Sequence, residues 1–346
     1  MPLEEPAWWY AREPNRVARL LSPLGRLWGH VARRRLARAR PYRSRLPVVC
    51  IGNFTAGGTG KTPLVLHVCA LLAARGEAPA ALTRGYGGSF KGPYWVDPVH
   101  DHAAQVGDEA LLLAAAARTL VSRNRALGAR AIEAGPHATS VIVMDDGLQN
   151  PSLEKDLVIA VVDGARGFGN GRVLPAGPLR APLDVQLALA DLIVVNEPPG
   201  SDAGVAEGLR RSFTGPVLRA GTVPREDTAW LRDRPVLAWA GIGNPARFFA
   251  TLHGLGADVR AQRTFRDHHE LRPEEAAALL ALAEANDWQL VTTEKDLVRL
   301  GRRDGAAGVL AMHARALPIR LAFAGNDGER LGELIASSLH ARRAAP

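Results

Sequence analysis

Residues 47–63 read Pro47-Val48-Val49-Cys50-Ile51-Gly52-Asn53-Phe54-Thr55-Ala56-Gly57-Gly58-Thr59-Gly60-Lys61-Thr62-Pro63. The apolar run Val48 to Ile51 predicts a strand buried on both faces. A glycine-rich loop follows, and Leu64, Val65, Val68, Leu71 and Leu72 then predict a helix that stops at Gly76. Strand, loop, Gly-Lys-Thr and helix in that order describe a phosphate-binding loop. Glycines lacking a Cβ let backbone N–H groups turn onto phosphate oxygens, Lys61 reaches the terminal phosphates, and the Thr62 hydroxyl reaches Mg²⁺. The expected nucleotide site is therefore Thr55, Ala56, Gly57, Gly58, Thr59, Gly60, Lys61 and Thr62. The general GxxxxGK[ST] pattern asks for glycine at position 55, so this loop is a variant.

Such a loop needs a carboxylate at the end of a neighbouring buried strand. Ser140-Val141-Ile142-Val143-Met144-Asp145-Asp146-Gly147 supplies one, and Asp145 and Asp146 join Thr62 as expected Mg²⁺ ligands. Further buried-strand patterns at Ala80–Leu82, Leu157–Val162 and Leu192–Val195 predict a parallel α/β sheet. A second α/β unit is read from Val236–Ala240, a helix over Glu274–Ala285, Gln289–Thr292 and Ile319–Ala322. The charge- and turn-rich stretch 215–233 reads as the boundary between them. The expected architecture is a P-loop NTPase-type domain over 46–220, a smaller C-terminal α/β domain over 221–346, and N-terminal amphipathic helices over 1–45.

Composition agrees with a chain of this class. With 346 residues, 47% hydrophobic and 23% charged, it is long enough for about two domains and too apolar for disorder. Cys50 and Cys69 have neither disulfide-framework nor zinc spacing. Residues 1–45 hold eleven arginines against Glu4, Glu5 and Glu13, an excess of eight that equals the net charge of +8 for the whole chain. Residues 46–346 are thus formally neutral, which argues against a nucleic-acid-binding protein.

The basic segment is also amphipathic. Leu20, Leu21, Leu24, Leu27, Trp28 and Val31 follow helical spacing, with Arg16, Arg19, Arg26 and Arg33 off the stripe. Ser22 as an N-cap and Pro23 at the first helical position predict a division into two helices. The pattern fits a helix in the headgroup plane of an anionic membrane and equally a helical pair packed on the protein's own core. No apolar run is long enough to span a bilayer.

Taken together the motifs resemble the tetraacyldisaccharide 4′-kinases, the lipid A 4′-kinases of Gram-negative bacteria. The resemblance rests on Pro6-Ala7-Trp8-Trp9-Tyr10, Leu21-Ser22-Pro23-Leu24, Gly57 to Pro63, Thr83-Arg84-Gly85-Tyr86-Gly87 and Val106-Gly107-Asp108-Glu109. It continues through Asp145 to Asn150, Leu174-Pro175-Ala176-Gly177-Pro178-Leu179-Arg180, Phe265-Arg266-Asp267-His268-His269 and Thr292-Thr293-Glu294-Lys295-Asp296. Thr55 agrees with the GGTGKT-type loop of that family. The resemblance implies ATP-dependent phosphorylation of the 4′-hydroxyl of an acylated glucosamine disaccharide 1-phosphate, forming lipid IVA at the cytoplasmic face of the inner membrane. It implies Asp108 as catalytic base and His268 as the residue that orients it or shares its proton, and it places the N-terminal helices on the membrane surface. Arg84 and Arg180 are candidates for substrate or nucleotide phosphate. No nucleic acid and no obligate protein partner is implied.

Each residue also has a plainer reading. Gly-Asp-Glu ahead of an apolar helix over Ala110–Leu120 is an ordinary helix start, and His268 and His269 are ordinary turn residues. A membrane-attached P-loop ATPase of partitioning or targeting type would use the same loop and helix. Gly241-Ile242-Gly243-Asn244-Pro245-Ala246 imitates a dinucleotide fingerprint but lacks its acidic partner, and His100-Asp101-His102 lacks further ligands at metal-binding spacing.

Overall fold

The computed structural model describes residues 5–11, 15–197, 204–301 and 304–344. Glu4, Arg12 and Glu13 of the basic segment lie outside the described residues. The chain forms α1 (Arg16–Ala37), and then the strands β1 (Val48–Asn53), β2 (Pro79–Thr83), β3 (Tyr94–Trp95), β4 (Arg118–Val121), β5 (Val141–Asp145), β6 (Leu157–Asp163), β7 (Leu192–Asn196) and β8 (Val217–Pro224). These are connected through α2 (Lys61–Ala74), α3 (Ala103–Val106), α4 (Asp108–Ala114), α5 (Arg125–Glu133), α6 (Leu183–Leu187) and α7 (Gly204–Ser212). A second sheet is built from β9 (Val236–Ala240), β10 (Val259–Thr264), β11 (Gln289–Thr293) and β12 (Ala314–Leu317), with α8 (Pro245–Gly254), α9 (Pro273–Asn286), α10 (Glu294–Leu300) and α11 (Gly305–His313). β13 (Ile319–Phe323) and α12 (Asp327–Ala344) follow.

The first sheet has the order β13-β8-β7-β6-β1-β5-β2-β4-β3, and the second β10-β9-β11-β12. Every pairing is parallel except β3 with β4 and β13 with β8. The mixed α/β class read from the sequence is therefore the observed one. β1 shows why its residues are apolar on both sides. Val49 and Ile51 enter a core shared with Leu64, Val65, Val68 and Leu72 of α2, while Val48 and Cys50 enter the opposite core with Ala129 and Ile132 of α5.

Four local expectations are corrected. The strand at Ile319–Phe323, expected in the second unit, pairs antiparallel with β8 instead, Leu321 facing Thr222, and gives the outermost strand β8 a partner. Leu331, Ile335 and Leu339 of α12 then cover the same core as α2. The presumed boundary 215–233 contains β8, because Val217, Leu218 and Ala220 are buried there beside β7. The helix expected over Ala110–Leu120 ends at Ala114, and Thr119, Leu120 and Val121 extend alongside β2, where β-branched residues pack well.

The fourth correction concerns α1, which runs unbroken through Pro23. Ser22 is not its cap: the hydroxyl donates to the Ala18 carbonyl oxygen at 2.6 Å. The proline φ suits a helix, and the cost of its missing N–H is offset by packing of the helix on the loop between β6 and α6. That packing uses small residues. A Cβ on Gly25 would lie 2.7 Å from the Val173 carbonyl oxygen, and one on Gly29 would lie 3.1 Å from Cγ of Pro182. The leucine stripe points elsewhere: Leu20, Leu24, Leu27, Trp28 and Val31 are each more than half exposed. Among the described residues no helix is long and apolar enough to cross a membrane.

Candidate active site

The glycine-rich loop leaves β1 at the centre of the first sheet, at the carboxyl ends of its parallel strands. Gly57 and Gly60 have φ of +99° and +90°, a region open to glycine and strained for other residues. Thr55 needs no such freedom, since it makes an isolated antiparallel bridge with Leu179 and its φ is not positive. This accounts for the departure from the general motif. The loop is held from outside by Ala56 N–H donating to the Pro178 carbonyl at 2.8 Å, Arg180 Nε donating to the Thr55 carbonyl at 3.0 Å, and Asn196 Nδ2 donating to the Thr59 carbonyl at 3.1 Å. Lys61 opens α2 with its ammonium 3.5 Å from Asp146 Oδ1.

The two aspartates at the end of β5 differ sharply. Asp145 is buried, and Oδ2 accepts from the Thr83 hydroxyl at 2.9 Å. Burial, helped by the negative charges of Glu109 and Asp146, pushes its carboxyl up to about 7. Asp146 has φ +49°, and both its oxygens accept from Arg180 Nη1, at 2.8 and 2.9 Å. Burial alone would raise its carboxyl, but the charges of Arg180 and Lys61 outweigh that and hold it well below the usual carboxylate range.

A third acidic group reaches the same region from the start of α4. Gly107, at φ +90°, turns the chain so that Asp108 begins the helix, as the plain reading of Gly-Asp-Glu expects. Yet Asp108 is 3% exposed and is gripped by the second sheet. Its Oδ2 lies 3.0 Å from His268 Nδ1 and 2.5 Å from Arg299 Nε, and its Oδ1 accepts the Glu109 N–H. Burial raises its carboxyl, but the His268 hydrogen bond and the Lys295 and Arg299 charges prevail and hold it far below the usual range. Beside it, Glu109 accepts from Lys295 Nζ at 2.8 Å. His268 itself has φ +59°, and its ring centroid lies 4.8 Å from that of Tyr86. Among the described residues only three non-glycine residues have positive φ, and two of them are Asp146 and His268, the kind of strain that collects at functional sites. His269 turns away to Glu275, at 2.7 Å, and stacks on Phe265.

Residues 17–340 match the family described as Tetraacyldisaccharide-1-P 4′-kinase. The chain belongs to that family. It is 49% identical over 340 residues to a tetraacyldisaccharide 4′-kinase of Methylobacterium radiotolerans, covering 98% of this chain and 100% of the relative. It is 47% identical over 325 residues to the tetraacyldisaccharide 4′-kinase of Nitrobacter winogradskyi, covering 93% and 94%. In three dimensions it resembles the "apo" form of LpxK from Aquifex aeolicus in complex with ATP, with a TM-score of 0.73 and 25% identity over 93% of this chain and 99% of that one. These relatives give no support to the partitioning-type ATPase.

Of the residues singled out by motif, the loop, Lys61, Asp145 and Asp146 converge on one sheet edge, and the second sheet delivers His268 to Asp108. Arg180 spends its guanidinium on Asp146 and Thr55, and Arg84 is exposed. Three partners had no role in the motif reading. Arg299 and Lys295 grip Asp108 and Glu109, and the only signal for them is their place in or next to the Thr292–Asp296 motif. Arg125, 2% exposed, donates to the Asp145 carbonyl, and no motif marks it.

Proposed function

We infer that this chain is the ATP-dependent kinase that transfers the γ-phosphate to the 4′-hydroxyl of a tetraacylated glucosamine disaccharide 1-phosphate, giving lipid IVA. The observation that carries this reading is the meeting of Asp108 and His268 across two sheets, on the same edge as Lys61 and its glycine loop. Lys61 and the loop amides neutralise the nucleotide phosphates. Thr62 and Asp145 offer hard oxygen donors, and the burial and neighbouring negative charge that push Asp145 up are what a divalent cation would relieve, so the residues fit Mg²⁺, with Asp146 beside them already paired to Arg180 and Lys61. Bound there, Mg²⁺ supplies charge neutralisation at the transferring phosphoryl group.

The Asp108–His268 pair takes the proton of the sugar hydroxyl. A carboxylate held this low is a weak base, so the proton moves late, as the oxygen bonds to phosphorus, and the pair contributes chiefly by position. His268, its side chain 17% exposed against 2% for Asp108, is the member of the pair nearer to the open cleft. Support for placement on a membrane surface comes from α1: its packed side is glycine and alanine, its exposed side is leucine and tryptophan, and arginines flank both. The helix lies on the cytoplasmic leaflet, where the acyl chains of the acceptor stay in the bilayer.

The deciding experiment is transfer of labelled γ-phosphate from ATP to a tetraacyl disaccharide 1-phosphate in detergent micelles, comparing the parent with Lys61→Ala. Labelled bisphosphorylated lipid that vanishes in the variant is the expected result; ATP hydrolysis without labelled lipid refutes the reading. For the membrane, flotation with anionic vesicles should fall when Leu20 and Leu27 are both replaced by Gln, and equal flotation would remove α1 from the account.

A further inference from the structure

Asn196, the last residue of β7, is 1% exposed and lies against the phosphate loop. Its Nδ2 donates to the Thr59 carbonyl at 3.1 Å, and it fills the space where a side chain on Gly60 would have to go. Its Oδ1 accepts from Arg247 Nη2 at 2.8 Å and from the Thr222 hydroxyl at 3.2 Å. This amide has one orientation: a flip would set its NH₂ against the Arg247 guanidinium and its oxygen against the Thr59 carbonyl.

Arg247 comes from the other sheet, on α8, the helix that follows Gly241-Ile242-Gly243-Asn244. That glycine loop also touches the phosphate loop directly. A Cβ on Gly243 would lie 3.0 Å from the Gly58 amide nitrogen, so the two glycine loops meet backbone to backbone. The second arm of the Arg247 guanidinium, Nη1, stands 3.7 Å from Asp163 Oδ2. Asp163 is 3% exposed, its Oδ1 holds the Ala165 and Arg166 N–H groups, and Oδ2 has no hydrogen-bond partner. A buried acceptor without a donor is unfavourable, and a closer approach of about 1 Å would give it one.

We propose that Arg247 is a positioning residue which, through Asn196, couples docking of the second sheet to the anion-binding shape of the phosphate loop. The physical link is the planarity of the peptide. The Thr59 carbonyl and the Gly60 N–H belong to one trans peptide unit and point in opposite directions. Holding the carbonyl towards Asn196 aims the Gly60 N–H away from it, into the concavity where a phosphate oxygen is received. Arg247 fixes Asn196, and Asn196 fixes the peptide. Approach of the two sheets completes the Arg247–Asp163 contact and tightens the same chain of bonds. Nucleotide affinity therefore depends on a residue of the second sheet that has no need to touch the nucleotide.

This inference rests on the phosphate-loop reading, and its test separates the two. ATP binding to the full chain in detergent is measured by titration calorimetry for the parent, Lys61→Ala, Arg247→Ala, Arg247→Lys, Asn196→Ala, Asn196→Asp and the Arg247→Ala/Asn196→Ala pair. Retention of parental affinity by Lys61→Ala would sink the phosphate-loop reading itself. With Lys61→Ala impaired, the coupling predicts that Arg247→Ala and Asn196→Ala each weaken ATP by about 10-fold and that the double variant is no weaker than Asn196→Ala. Asn196→Asp, of nearly equal volume, keeps a partner for Arg247 but cannot donate to Thr59, and it should bind ATP as poorly as Asn196→Ala. Arg247→Lys should recover part of the loss, since one donor reaches Asn196 while the fork is gone. In steady-state transfer the KM for ATP should rise in Arg247→Ala while the KM for lipid stays within about twofold, a split that general loss of structure would not produce. Unchanged ATP affinity in Arg247→Ala, additive losses in the pair, or parental affinity in Asn196→Asp would each overturn the proposal.

Discussion

Two adjacent acidic pairs stand at the same end of the first sheet, Asp108-Glu109 at the start of α4 and Asp145-Asp146 at the end of β5. Their counter-charges come from different places. His268, Arg299 and Lys295, which hold the first pair, come from the loop after β10 and from α10, both packed with the second sheet. Lys61, Arg180 and Thr83, which serve the second pair, all belong to the first. The first pair is held low as a unit, whereas Asp145 is pushed up to about 7 beside an Asp146 held down. The same residue types thus acquire different charge states: nearby cations hold Asp108 and Asp146 down, whereas burial and the charges of Glu109 and Asp146 push Asp145 up. The ionisation of Asp108 depends on two sheets staying docked; that of Asp146 is local.

The comparison can be broken most directly at Asp108. Asp108→Asn preserves shape and removes the charge that organises His268, so kcat for lipid phosphorylation should fall by about 10³-fold with ATP affinity nearly unchanged. A loss below about tenfold would show that the docked pair is structural. Next in size is a stability contrast. Arg299→Met leaves a buried carboxylate short of a partner and should cost about 3 kcal/mol in chemical denaturation, whereas Arg180→Ala, at a pair with side chains 26% and 31% exposed, should cost less than about 1 kcal/mol. Equal costs would erase the distinction between docked and local partners.

The smallest effect is the pH dependence of that contrast. Asp108 has its folded pKa below the ordinary 3.8, so its pairing stabilises the fold fully above about pH 4 and the contribution is lost as pH falls through the folded value. The stability gap between parent and Arg299→Met should therefore be constant from pH 5 upward and shrink below about pH 4. A gap that widened in acid would contradict the sign of the shift.

How far these features were legible follows from the range of the interactions that create them. Val48 to Thr62 could be read because strand, turn and helix start are written in consecutive residues. Val141 to Asp146 was legible for the same reason. Arg118–Val121 was absorbed into a helix because the alanines before it continue a helical run, and its strand character depends on the edge of β2 beside it. Ile319–Ala322 reads as a strand from its residues, yet it joins the first sheet and not the second, since nothing local says which edge is free. Asp108 reads as a helix cap but is the first residue of α4, with Gly107 at the cap; its contact with His268 and Arg299 is visible only when the second unit arrives.

The amphipathic stripe of α1 divides in the same way. Its spacing predicted a helix with a leucine face, but not that the small residues would be the ones to pack and the leucines the ones left exposed. Periodicity states which residues share a face; only the neighbouring surface decides which face is covered. By itself the chain determined the central strands, the glycine loop and the family, because these depend on contacts within a few residues and on motifs in order. The tertiary structure decided which carboxylates are held ionised, which histidine meets Asp108 and which sheet receives the last strand. Those outcomes depend on charges and edges brought within a few ångströms from far apart in the chain, where Coulomb and hydrogen-bond energies become large enough to choose.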